Sequence, residues 1–306
     1  MEPVRFLLGS DPELFLQDVA TEKFRSAIPV IAEGKGAGRP LDSTGQNSVL
    51  HDNVLIEFNT KPAESCPEFV QTVGSVLRSI EAIVAERGLR LHLQASTSFP
   101  EEELDCEEAR VFGCDPDYDA YELEINIVPE EAAASPFRSA GGHLHIGKHA
   151  EDGKLGQLLE DPYGKVRVVK ALDLFVGLIG VFLDKDPTAA ARRGLYGKAG
   201  AHRPKDYGVE YRACSPWWLE TPRHTELVYR LSEAALSAAL DERRFDKLID
   251  IVGGERRLQK TINKSQVKRA RNCYDRHLRK LLSPEVQWLV SEVDGADANF
   301  RTAWFG

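Results

Sequence analysis

An α+β fold, with a curved antiparallel β-sheet backed by helices and a helical C-terminal extension, is the architecture this sequence predicts. Three observations predict it. Several short stretches alternate polar with apolar residues, the period of a strand that is wet on one face and dry on the other. Strands of that kind form antiparallel sheets whose dry side needs a cover. Two longer stretches repeat apolar residues every three or four positions and supply that cover. From Thr221 onward the pattern is helical, which divides the chain into a sheet-bearing part, 1–220, and an extension, 221–306, packed on the same domain.

Taken in order, residues 6–16 read as a strand carrying Asp11 and Glu13 on one face, with a bulge or sheet edge at Pro12. The glycine-bearing stretch 33–40 lacks the G-x-x-x-x-G-K-[ST] layout of a phosphate cradle and reads as a mobile loop. A strand at 53–61 places Glu57 with Asn59. Ser65 and Glu68 form a capping box that opens a helix along Phe69, Val73, Val76, Ile80 and Ile83, ending near Gly88. A strand follows at 91–96. Residues 101–108, with six acids in eight, read as a solvated loop or helix start, and 113–118 as a turn. Residues 121–128 alternate again, placing Glu122, Glu124 and Asn126 on one face.

Within 140–147 two glycines, Gly141 and Gly142, precede His143-Leu144-His145-Ile146. In a strand the two imidazoles share one face, and the glycines admit a close ligand or backbone. A second amphipathic helix runs along Val166, Val169, Leu172, Val176, Ile179 and Leu183. The stretch 191–207 reads as a basic loop, and 208–213 as a strand with Glu210 beside Arg212. A final stripe is Leu227, Leu231, Ala234 and Ala238. Between 256 and 280 stand ten Lys or Arg against one acid, Asp275, read as a solvated helix face or else a nucleic-acid or phosphate contact.

Composition narrows the class. Hydrophobic residues make up 42% and charged residues 28%, ordinary for a globular protein. A net charge of -9 excludes a nucleic-acid coat but not a local basic patch. The five cysteines include no C-x-x-C pair, and the chain opens without a signal-peptide layout, so a soluble protein in a reducing cytoplasm is expected. Cys114 and Cys214 read as small buried residues rather than nucleophiles. No internal repeat occurs.

If the wet faces converge, one surface displays Asp11, Glu13, Glu57, Asn59, Glu122, Glu124, His143, His145, Glu210 and Arg212. So many carboxylates repel one another unless divalent cations compensate them. An oxygen-rich set with few imidazoles favours Mg2+ or Mn2+ over Zn2+. The basic loop adds Arg192, Arg193, Lys198, Arg203 and Lys205, donors suited to phosphate oxygens.

Five stretches occurring in order, Gly9-Ser10-Asp11-Pro12-Glu13, Asp52-Asn53-Val54-Leu55-Ile56-Glu57, Gly113-Cys114-Asp115-Pro116, Gly142-His143-Leu144-His145 and Tyr207-Gly208-Val209-Glu210-Tyr211-Arg212, resemble the phage-type carboxylate-amine ligases, a branch of the glutamine synthetase and glutamate-cysteine ligase superfamily. The resemblance implies a bacteriophage-type amidoligase catalytic domain at 1–220, acting in the host cytoplasm. It implies ATP with Mg2+ or Mn2+ as cofactors, and an amide bond formed through an acyl phosphate. Carried over, Glu13, Glu57 and Glu210 are metal ligands, Asp11 stands where relatives often carry Glu, and His143 is a further metal ligand. His145 and Arg212 contact the nucleotide phosphates, with Arg203 and Arg193 on the acyl phosphate. A zinc hydrolase built on His143 and His145, or a DNA-associated protein using residues 256–280, are the competing readings. The carboxylate and amine substrates and the oligomeric state are left open, as is the choice between His143 and His145 for the metal.

Overall fold

A computed structural model of the chain describes residues 4–34, 36, 38–110, 117–127, 135–149 and 153–306. Among them, β1 (Leu7–Ser10), β2 (Glu13–Asp18), β3 (Phe24–Arg25), β4 (Arg39–Pro40), β5 (Ser48–Asp52), β6 (Leu55–Ala63) and β7 (Leu89–His92) come from the first third of the chain. β8 (Ser96–Ser98) and β11 (Phe137–Ser139) form a separate two-stranded ribbon. β9 (Tyr118–Asp119), β10 (Glu124–Ile125), β12 (Leu144–Gly147), β13 (Ala201–Lys205) and β14 (Gly208–Tyr211) complete the main sheet. Its order is β10-β9-β13-β14-β12-β1-β6-β2-β3, with β5 joined to β6, β4 to β5 and β7 to β2; these pairings are all antiparallel.

The helices cover the dry face as the apolar stripes require. Helix α1 (Cys66–Ala85) is capped by Ser65, whose hydroxyl accepts the Glu68 N–H, while the Glu68 carboxylate accepts from Glu64 N. It packs on β6 and β7. The chain then forms α2 (Glu107–Arg110) and α3 (Lys154–Glu160) before α4 (Pro162–Leu172), a π-helical turn at Asp173–Gly177 and α5 (Leu178–Leu183), which make one rod. This rod is buried on every side from Ala171 to Leu183, including Leu174, Phe175, Leu178 and Phe182, so it crosses the core instead of lying on it with one stripe. Helix α7 (Pro222–Ala239), capped by Thr221, packs on α1 and α4, and Leu227, Leu231, Ala234 and Ala238 face inward as the stripe predicts.

The C-terminal helices share the core. One continuous apolar cluster runs from Phe6 to Trp304, and the indole N–H of Trp304 donates to Leu219 O at 2.6 Å. Among the described residues, no helix is long and apolar enough to cross a membrane.

Four expected elements differ. The strand at 91–96 is not continuous: β7 ends at His92 and β8, in a separate ribbon, begins at Ser96. The strand at 6–16 is two strands, because the chain breaks at Asp11-Pro12: β1 and β2 both pair β6, with a register shift beside Ser10. The stretch 121–128 does not continue as an alternating strand, since Leu123 adopts a φ of 57° in a turn; Val128 lies outside the described residues. The basic loop at 191–207 contains helix α6 (Ala189–Leu195) and β13.

Candidate active site

Register builds the site. Arg203 lies opposite Glu210 across β13 and β14, Glu210 opposite His145 across β14 and β12, and His145 opposite Gly9 across β12 and β1. Directly opposed residues in an antiparallel pair project to the same face, so the sheet itself aligns Arg203, Glu210 and His145 in one row. Gly9, having no side chain, leaves space at the row's end. A second row comes from Glu13 opposite Glu57 across β2 and β6. The break at Asp11-Pro12 turns Asp11 between the two rows.

The first row forms a candidate cation centre. One ligand atom each from Asp11, His145 and Glu210 lies within 4.8 Å of the others. Asp11 Oδ1, His145 Nε2 and Glu210 Oε2 are buried and make no hydrogen bond, although Asp11 Oδ1 and His145 Nε2 are 2.8 Å apart and Lys205 Nζ is 3.0 Å from Glu210 Oε2. Buried polar atoms without hydrogen bonds are costly, and three of them on residues whose ligand atoms gather within 4.8 Å of one another fit a cation, which would displace any proton on His145. Burial alone would raise the Asp11 carboxyl, but the charge of His145 and the close approach of both imidazole nitrogens to its Oδ1, at 2.8 and 3.5 Å, hold it well below its usual value. For Glu210, burial and Asp11 push upward, yet Arg212, His143 and Arg203 pull it down to about 2. Both carboxylates are therefore ionised at neutral pH.

The second centre behaves oppositely. Glu13, Asp52 and Glu57 bring one ligand atom each within 4.8 Å of the others. Glu13 is pushed up to about 7, chiefly by burial and then by the Asp52 charge. Glu57 is raised well above its usual value by burial and by Asp11, Glu13 and Asp52. The Gly141 N–H donates to Glu13 Oε2 at 2.6 Å, so the glycine of the His-bearing segment orients this carboxylate. Without a cation Glu57 keeps its proton and Glu13 is poised near neutrality; a bound cation would favour the ionised form of both.

Arg212 stands between the centres. Its guanidinium donates to Glu210 Oε1 and, at 3.2 Å, to Asp117 Oδ2, and faces His143 Nδ1 at 3.3 Å. Burial and the Arg212 charge lower the His143 imidazole, which keeps it neutral. Burial opposes ionisation of His145, but Asp11 raises it overall, and its Nδ1 bonds the Tyr207 hydroxyl. Two concavities flank the rows: one between Glu13, Asp52, Asp117, His143 and Arg212, and an apolar one between Leu7, Gly9, Pro62, His145 and Tyr207.

The structure brings together Asp11, Glu13, Glu57, His143, His145, Arg203, Glu210 and Arg212. It separates others. His143, expected on a metal, lies outside both three-residue groups, and His145, expected at phosphates, is the imidazole of the first. Arg193, expected on the acyl phosphate, instead pairs with buried Asp184 at 3.3 Å and donates to Ser265 Oγ at 3.0 Å. Arg192 is wholly committed to main-chain carbonyls of Ala140, Ala213 and Arg212. Glu122 and Glu124 are exposed at the sheet edge, and Lys198 is exposed. Residues 113–116 and Cys114 lie outside the described residues. Asp52 and Asp117 were not expected: Asp52 precedes a tight turn made by Asn53 at a φ of 55°, and Asp117 sits in a segment legible only as a turn.

Fold and site together define an α+β protein whose antiparallel sheet carries two acidic centres, with Arg212 bonded to Glu210 of the first and its charge felt by Glu13 and Glu57 of the second. The family model described as Phage phiEco32-like COOH.NH2 ligase-type 2 matches residues 125–249, and over that segment it bears out the resemblance to carboxylate-amine ligases. The matched segment holds His143, His145, Arg203, Glu210 and Arg212, while Asp11, Glu13, Asp52, Glu57 and Asp117 lie before it. No curated protein matches the chain. Among solved structures, a "novel glutamine synthase homolog" matches at 12% identity and a TM-score of 0.38, over 95% of this chain and 71% of that one.

Proposed function

We propose that the protein is an ATP-dependent carboxylate-amine ligase, working in the cytoplasm, that forms an amide through an acyl phosphate. The observation that carries this reading is the trio of buried atoms without hydrogen bonds, Asp11 Oδ1, His145 Nε2 and Glu210 Oε2, beside a second acidic centre. Asp11, His145 and Glu210 would hold one divalent cation, and Glu13, Asp52 and Glu57 a second. Such cations neutralise the phosphate charges and the charge that develops on the transferred group.

The remaining roles follow from position. The apolar concavity beside Tyr207 and His145 receives the nucleoside, so the phosphates run along the first row. Arg203, already turned toward Glu210 at 3.2 Å, swings to the terminal phosphate, as does Lys205. The substrate carboxylate enters between Arg212, His143 and Asp117; its oxygen attacks the terminal phosphorus, and the bond to ADP breaks. The amine nitrogen then attacks the acyl carbon, phosphate departs, and the amine loses its proton.

The reading is tested by incubating the protein with ATP, Mg2+ and hydroxylamine, a surrogate amine, across a panel of carboxylic acids. Hydroxamate formed together with ADP, and lost in Glu210→Gln, is expected. A protein that binds no nucleotide analogue in the presence of Mn2+ would overturn it. Stoichiometric zinc in the purified protein would instead favour the hydrolase.

A further inference from the structure

A second charged surface shares no residue with the acidic site. Helices α8 (Glu242–Ile251), α9 (Glu255–Asn263) and α10 (Val267–Cys273), followed by a π-helical turn at Tyr274–Leu278, enclose an open concavity of about 640 Å³. Arg257, Lys268, Arg269, Arg276 and His277 line it, with the Asn272 amide, and no Asp or Glu does. Within the basic run at 256–280, Arg271 is paired with Asp294, whereas the four lining cations have no ion-pair partner among the described residues. The Arg269 Nε is buried and makes no hydrogen bond. In a chain of net charge -9, that gathering of like charges is a cost, and a polyanion would relieve it.

The lining chooses among polyanions. Gly253, at a φ of 102°, lines the concavity, and a Cβ there would meet the Arg257 side chain at 2.5 Å, so the glycine leaves room for that cation. The His277 imidazole and the arginine guanidinium planes of the lining offer surfaces on which unstacked bases can stack, with Ile251 and Val267 as half-exposed apolar neighbours. Arginine predominates among the cations, and its planar fork meets phosphate oxygens two at a time. Cations that meet phosphate oxygens position a backbone and carry no sequence information themselves.

We infer that this concavity binds the phosphodiester backbone of single-stranded nucleic acid, independently of sequence and of the ligase reaction. Four fixed cations, each displacing about 0.7 counterion per phosphate on a single strand, give a slope of log affinity against log salt near −2.8. That slope corresponds to about a fiftyfold loss of affinity between 50 and 200 mM salt.

The test is fluorescence anisotropy of a labelled oligothymidine of about 20 nucleotides, with the full chain and with the double variant Arg257→Gln/Arg276→Gln. The expected result is binding with that slope, at least tenfold weaker in the double variant and with a slope near −1.4, and poor competition by polyglutamate or by duplex DNA of equal length. Mn2+ binding by the variant at the acidic site, equal to wild type, shows that it is folded. Equal affinity of variant and wild type, a slope near zero, or competition by polyglutamate as effective as by unlabelled oligothymidine would each overturn the inference.

Discussion

Glu13→Gln should make the metal-free protein less sensitive to a rise in pH that weakens the wild type, leaving the share that Glu57 contributes. The Glu13 carboxyl is 7% exposed and stands at about 7 instead of its ordinary 4.5, because burial and then the Asp52 charge oppose its ionisation. Each unit corresponds to about 1.4 kcal/mol, so the shift represents about 3 kcal/mol between folded and unfolded chains. Because the folded value is raised, the folded protein holds this proton more tightly. The resulting stabilisation is complete below about 4.5 and is lost as pH rises through about 7. Glutamine keeps an acceptor for the Gly141 N–H but never ionises. Urea unfolding in EDTA at pH 4 and pH 8 should therefore show the variant gaining about 3 kcal/mol relative to wild type on going to the higher pH. Comparing the two pH values removes any constant packing effect of the amide. Saturating Mn2+ at pH 8 should reverse the order, stabilising the wild type more. A variant-to-wild-type difference that is the same at both pH values would refute the account of the second centre.

Two further outcomes follow from the contacts. His145→Ala removes an atom aimed at the first centre and should weaken Mn2+ binding more than the roughly 10–100-fold that a supporting residue costs, whereas His143→Ala should stay within that range; the opposite ranking, read by Mn2+ titration, would return the metal to His143. Arg193→Ala leaves Asp184 buried without its cation and should cost about 3–5 kcal/mol in unfolding, while the folded fraction binds the nucleotide analogue as wild type does. Weakened nucleotide binding at unchanged stability would place Arg193 back in the site.

How much of this was legible depends on whether a residue's direction is set locally. His143 and His145, Glu210 and Arg212 could be placed on common faces because a strand alternates strictly, and the helix caps at Ser65 and Thr221 follow from backbone N–H groups that need acceptors. Glu122 and Glu124 alternate equally well, yet the left-handed Leu123 lies in the turn that separates β9 from β10, a conformation that no periodicity reveals. Arg192 and Arg193 show the complementary failure: a cation's type does not say whether it meets a phosphate or a buried carbonyl. Asp52 joins Glu13 and Glu57 only through long-range pairing of β2, β5 and β6. Asp173, a lone acid in an apolar run, proves to be wholly buried, pushed up to about 7 chiefly by burial, and it accepts hydrogen bonds from Tyr121 and Tyr211 hydroxyls at 2.9 and 2.7 Å. It thereby ties the π-helical turn to the strand that carries Glu210. The expected frame of antiparallel strands and covering helices is present because burial follows from pattern alone.

The central claim is a two-cation nucleotide site, and counting Mn2+ by electron paramagnetic resonance with a non-hydrolysable ATP analogue tests it most directly. Two Mn2+ per chain in the presence of the analogue, falling to one in Glu210→Gln, is the predicted result. No Mn2+ bound with the analogue, or an unchanged count in Glu210→Gln, would contradict it.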